Sequence, residues 1–416
     1  MGIVYYLLLK QKKIDTKYFN QCTKLTTIAI PSNITIIEEK SFEGCSSLYD
    51  IVIPSSIKEI NKRAFIECCS LTKISIPPSI TTIKEGSFSS CKSLTKIKIP
   101  SSVTSIEDRA FYGCSALKRI SIPSSVKSIG KYCFNICSSL KQITIPSSVE
   151  SIKEYTFNRC ISLEKIILPS SLTSIKSYAF NNCESLKEIT IPNGVVSIEN
   201  CSFGGCSSLM QITIPSSVTS IDSSSFSDCS SLVQITIPSS VTSMANSCFI
   251  RCTSLLQIEI PDSVKKIGNN CFDNCTSLVN ASISSSIKMI DDGLFQFCSS
   301  LTQIIIPPSV TIIKINAFYE CSSLAQISIP SSVIKIESYS FYGCSSLAKV
   351  ILPSVTIIEL NAFQNCTSLA NIEIPSVTSI GEYAFDGCTS LTEVSIPSNA
   401  YIDNKSFPSN VIIIKI

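Results

Sequence analysis

The chain has 416 residues, 44% of them apolar, with a formal net charge of +3. This near-neutral balance lacks the basic excess of a nucleic-acid binder. With no histidine, it has no imidazole general base, no His-dependent triad and no His metal ligand.

In chain order the first element is MGIVYYLLLKQKK. Its apolar stretch is far too short to span a bilayer. No basic residue precedes it and no small-residue cleavage site follows, so it does not read as a signal peptide. Tyr6 stands where myristoylation after Gly2 needs Ser or Thr. The stretch is expected to belong to the fold, with VYYLLL as a degenerate first strand in a cap turn over residues 1–20.

From Phe19 onward a phenylalanine is followed three residues later by a cysteine, and the pair recurs every 23 residues from Phe19/Cys22 to Phe341/Cys344. The step then shortens to 22 for Phe363/Cys366 and Phe385/Cys388. A fixed period of this length is the mark of a solenoid whose repeats stack on one another. The consensus is I-P-S-S-V-T-S-I-x-x-x-A-F-x-x-C-S-S-L-x-x-I-x-I-P. In the turn of Phe111 its core positions are Ile99, Val103, Ile106, Phe111, Cys114, Leu117 and Ile120.

The segment L-x-x-I-x-I alternates β-branched residues and predicts a short strand. The proline after it cannot donate to a ladder and ends the strand. Ser-Ser then makes a turn, and V-T-S-I predicts a second extended piece. The stretch from that Ile to the Cys has room for about two helical turns, which would put Phe and Cys on one face. Stacked in register, the strands form a parallel sheet. One turn alone cannot offset its ordering entropy of roughly 1.5 kcal/mol per residue, so stability comes from stacking. The expected class is an α/β solenoid of about 17 turns of 22–23 residues, with helical or 3-10 segments returning. Repeats fill residues 21–400, and 401–416 form a degenerate, apolar C-terminal turn of the same continuous domain.

A strand L-x-x-I-x-I with a returning segment is a leucine-rich repeat in outline. IPSSVTSIEDRAFYGCSAL and IPSVTSIGEYAFDGCTSL resemble the BspA-like, or Treponema-type, leucine-rich repeats over nearly the whole chain. That resemblance implies strands on a concave face and a binding role. The family includes cell-surface proteins implicated in adhesion to host cells and matrix proteins.

Seventeen cysteines fill the F-x-x-C column and read as buried, reduced structural thiols. Cys69, Cys133, Cys201, Cys248 and Cys271 lie outside it. Cys248/Cys252 and Cys271/Cys275 form C-x3-C pairs in adjacent turns, and four thiols could converge on zinc. The spacing matches no standard zinc pattern, so Cys in a core slot usually held by Ala is the reading adopted. No metal, cofactor or catalytic residue is assigned. Six N-x-[ST] triplets, at Asn33, Asn200, Asn274, Asn280, Asn365 and Asn404, read as chance products of Ser/Thr-rich repeats.

Candidate contact residues are those that strand alternation turns outward. The column before the central Ile reads Lys73, Lys96, Arg119, Gln142, Lys165, a basic stripe strengthened by Lys98, Lys118 and Lys141. Further on it becomes an amide ladder from Gln211 to Gln326. The neighbouring column places Met210, Val233, Leu256 and Val279 in consecutive turns, an apolar contact strip if exposed and otherwise a row tucked into the bend before the strand. The stripe suits an acidic protein or glycan, or simply keeps an open sheet soluble. Nucleic acid does not fit, because no aromatics interleave the cations. Departures from the consensus cluster at residues 240–298, with Met244 and Ala281 in place of Ile and Ser284 in place of Pro. The expected function is non-enzymatic protein binding. One form is a surface adhesin for host-cell or matrix proteins; the other is an intracellular scaffold with a cytosolic partner. The family resemblance favours the cell surface, and the missing signal and anchor favour the cytoplasm.

Overall fold

The computed structural model describes residues 8–416. Residues 4–7 of the expected first strand lie outside the described residues, while Leu8 is fully buried. The chain divides into two compact units, Met1–Leu209 and Met210–Ile416. Each is a parallel β-solenoid, with about 18 turns in the chain.

Most described turns carry two short strands, and in the turn of Arg119 the first is reduced to a single bridge to Gln142. In the first unit, Lys73–Ser75 and Lys96–Lys98 pair in parallel with Ile74 opposite Ile97. A second column, including Thr82–Ile83, Ser105–Ile106 and Ser128–Ile129, stacks Ile83, Ile106 and Ile129. The second unit repeats the scheme, with Ile304 opposite Ile327 and Ile313 opposite Ile336. These are the L-x-x-I-x-I and V-T-S-I segments of the sequence. The proline after the first strand has a use besides ending it. Its carbonyl accepts the N–H of the Val or Ile three residues on, as Pro146 does from Val149 at 3.0 Å, and so closes the Ser-Ser turn.

The returning segment differs from expectation. Among the described residues the α-helix that lies wholly within them is the four-residue Thr16–Phe19, whose N-cap Asp15 accepts from the Lys17 N–H. Elsewhere the stretch around Phe is a pair of tight turns. The residues two before and two after the Phe take left-handed backbone, as in Tyr132 (φ 57°) and Ile136 (φ 61°) around Phe134. The reason lies in the backbone donors. A helix would spend its N–H groups on its own carbonyls, leaving few for the neighbouring turn. Here the N–H groups of Arg63, Phe65 and Glu67 donate to the carbonyls of Glu85, Ser87 and Ser89 in the next turn, at 2.8, 2.9 and 2.8 Å. The return thus becomes a third ladder, and buried backbone groups find partners.

Left-handed backbone costs an L-residue roughly 1–2 kcal/mol, and a β-branched side chain is the least suited to it. Ile136 is half-buried at such a position. Replacing Ile136 by Gly is therefore expected to raise stability by about 1 kcal/mol. A denaturation midpoint shifted downward would contradict the strain argument.

The core of each unit is a column of phenylalanines at the ladder spacing. From Phe19 to Phe203 ring centroids lie 5.1–5.7 Å apart with interplanar angles of 2–12°. From Phe226 to Phe407 the separations are 4.8–5.7 Å. At the C-terminus, Ile412–Lys415 pairs in parallel with Glu393–Ile396, and Ile412, Ile413, Ile414 and Ile416 are exposed.

Candidate functional site

The variable residues of each turn emerge on the outer face of the three-residue strands. Lys73, Lys96 and Lys165 begin their strands and are exposed beside buried Ile74, Ile97 and Ile166. Lys98 ends its strand, also exposed. Arg119 is exposed and bridges to Gln142, which pairs in turn with Lys165. The stripe is therefore a contiguous surface of the first unit, and the structure divides it in two. Lys73 lies 4.0 Å from Asp50 and Lys141 lies 3.2 Å from Glu164, each an ion pair with the turn before or after. Lys96, Lys98, Lys118, Arg119 and Lys165 have no ion pair among the described residues.

In the second unit Met210, Val233, Leu256 and Val279 are 52%, 40%, 48% and 37% exposed, so this column does not tuck under the strand. Its backbone extends the sheet: Val233, Leu256 and Val279 each donate to the residue one turn earlier at 2.9–3.2 Å. The amide ladder runs beside it, with Gln211 opposite Gln234 and Gln303 opposite Gln326. Ala281, in the usual Ile slot, leaves a shallow polar groove lined by Gln234, Thr236, Gln257, Glu259, Asn280 and Ala281. Two other departures from the consensus are structural. Met244 is buried, and the Ser284 hydroxyl donates to the Val264 carbonyl at 2.7 Å.

All 22 cysteines are free thiols, and only Cys22, Cys69 and Cys201 are not buried. The column thiols from Cys45 to Cys206 and from Cys252 to Cys388 donate to the Phe carbonyl of the preceding turn. Cys160 reaches Phe134 at 3.1 Å and Cys183 reaches Phe157 at 3.2 Å. The same Phe157 carbonyl accepts the Cys160 N–H at 3.1 Å. The thiol thus fills the second lone pair of a buried carbonyl, which Ala could not do. Burial pushes the Cys137 and Cys206 thiols up to about 12, far from the thiolate a nucleophile or metal ligand needs. Cys248 sits in the Ala slot and donates to the Ala245 carbonyl at 2.9 Å. Among the described residues no group of three or more Cys, Asp or Glu could hold a metal ion, and no helix is long and apolar enough to cross a membrane.

Sequence reasoning passed over other exposed groups. Ile167 and Ile305 stand on the outer strand face, 51% and 79% exposed. On the return side Tyr132, Tyr155 and Tyr178 stack at 4.6 and 4.5 Å, with the Arg109 guanidinium 4.7 Å from the Tyr132 ring. Tyrosine at intervals of 23 residues was the available signal.

The chain resembles a crystallised leucine-rich repeat protein from Bacteroides ovatus, with 32% identity over 83% of this chain and 92% of that one, and a TM-score of 0.67. A leucine-rich cell surface protein from Faecalibacterium prausnitzii shares 28% identity over 84% and 87% of the two chains, at a TM-score of 0.47. Comparison with curated proteins finds no match. The model of the BspA type leucine rich repeat region, with six copies, matches residues 12–141, 127–255, 196–325 and 311–416. The match spans the same Phe–Cys turns that build both solenoid units, and the chain belongs to the BspA-type leucine-rich repeat family.

Proposed function

We propose that this chain is a non-enzymatic protein-binding repeat protein of the cell surface, an adhesin holding a host-cell or matrix protein against its outer strand face. The observation that carries the reading is the exposed apolar column Met210, Val233, Leu256 and Val279 on four consecutive turns. Folded chains seldom leave a contiguous apolar strip to water without a partner. The amide ladder beside it supplies donors and acceptors for a polar rim. Leucine-rich repeat folds are typical of protein-binding surface proteins, and the lack of histidine and the buried thiols support a role without catalysis.

The double change Val233→Lys, Leu256→Lys tests it, because both side chains are exposed and the fold does not depend on them. Capture of the full chain by immobilised matrix extract or intact host cells is expected to fall at least about tenfold, with an unchanged melting temperature. Undiminished capture would remove the strip from the contact.

A second reading has its own observation. Twenty-two free thiols, nineteen of them buried, suit a reducing compartment and an intracellular scaffold. Detecting the tagged chain on intact rather than permeabilised cells would support the adhesin. Signal only after permeabilisation would support the scaffold.

A further inference from the structure

The cations of the first unit are arranged along the strand-to-strand direction, one or two to a turn. We propose that they form a binding site for a linear anionic polysaccharide, carboxylated or sulfated, lying across the strands from Lys73 to Lys165. The site uses different residues from the protein contact proposed above, so either can fail without the other.

Three observations point there. Lys96, Lys98, Lys118, Arg119 and Lys165 are exposed and carry no ion pair among the described residues, whereas Lys73 and Lys141 are held by Asp50 and Glu164. A run of cations left without counterions calls for an anion from outside. The hydroxyls of Ser75, Ser121 and Thr144 are exposed beside them, suited to sugar hydroxyls. Between Arg119 and Lys165 the face dips into a shallow groove lined by Ser121, Gln142, Thr144 and Ile167.

Spacing decides the class of anion. Parallel strands succeed one another by roughly 4.8 Å, about the length of one sugar ring. Lys73 lies directly opposite Lys96, and Arg119, Gln142 and Lys165 follow in paired positions. A polysaccharide laid along this axis therefore offers one ring to each turn. Carboxylates on one face of an extended peptide recur at about 6.6 Å, and those four apart on a helix at about 6 Å. Both fall out of step within two turns.

The test uses the full chain and size-defined oligosaccharides of heparin (sulfated) and hyaluronan (carboxylated only), with polyglutamate as the peptide polyanion. Affinity is expected to rise with oligosaccharide length up to about five rings and to weaken with salt. Hyaluronan binding as tightly as heparin would mean that carboxylate suffices, and binding of heparin alone would mean that sulfate is required. The triple change Lys96→Glu, Arg119→Glu, Lys165→Glu should weaken binding by about tenfold or more at about 0.15 M salt. The control Lys265→Glu, Lys266→Glu, Lys288→Glu alters exposed lysines of the second unit by the same charge and should weaken it by less than about threefold. Thermal melts verify that both variants fold. Equal loss in both variants, polyglutamate binding as tight as the oligosaccharides, or no saturable binding to either would overturn the proposal.

Discussion

Raising the pH above about 9 in the presence of reductant is expected to unfold this chain over a narrow interval. The thiols of Cys137 and Cys206 are pushed by burial to about 12, from an ordinary value of 9.0. Twelve more column thiols are raised, each with burial as the first cause. In the unfolded chain these groups lose their protons near their ordinary value; in the fold they keep them. Above about pH 9 the unfolded form therefore binds fewer protons, and stability falls as pH rises towards 12. Below that range the contribution is intact. Each thiol costs about 1.4 kcal/mol per pH unit. Fourteen acting together would lose on the order of 20 kcal/mol per unit if the chain unfolds as a whole, more than the stability of an ordinary domain. Circular dichroism against pH should place the midpoint between about 9.5 and 10.5. Cys→Ala changes at several columns should move it upward. A chain still folded at pH 12 would show that the thiols do not titrate on unfolding.

Loss of one ring from the phenylalanine column should be nearly as damaging. Phe134 is fully buried, with Phe111 and Phe157 at 5.5 and 5.4 Å on its two sides. Phe134→Ala removes packing to both neighbours and leaves a cavity that rigid ladders cannot close. The expected cost is about 3–5 kcal/mol. Because turns contact mainly their neighbours, hydrogen exchange should quicken first in the turns next to residue 134. A cost below about 1 kcal/mol, or exchange quickened uniformly across the unit, would contradict a column stabilised by nearest-neighbour stacking.

Much of this was legible because a repeat reports each position many times. A single L-x-x-I-x-I is weak evidence for a strand, but its recurrence at 23 residues requires in-register stacking. Pairing of Ile74 with Ile97 follows from that. The same alignment separates buried columns from free ones, and so marks Lys96 and Arg119 as outward residues; spacing leaves the exposure of the Met210 column open, and the fold decides it. The ion pairs that divide the basic stripe were less visible. Asp50 and Lys73 are 23 apart in one column, but whether their side chains meet depends on rotamers, which the sequence does not specify.

The return segment shows where periodicity stops discriminating. Phe and Cys three apart share a face on a helix, and they do so equally across two tight turns. What separates the two is the demand of the next turn for backbone donors, which arises only once the turns are stacked.

By itself, then, the sequence determined the solenoid, its register, its phenylalanine core and the set of columns free to vary. These follow from hydrophobic spacing repeated along the chain. Only the tertiary structure decided that the return is a third ladder of left-handed turns and that column thiols such as Cys160 serve the Phe carbonyl of the preceding turn. It also decided which lysines of the stripe stay unpaired. Each of these depends on contacts between residues a full turn apart, where hydrogen-bond satisfaction in the stack outweighs the preference of any single segment.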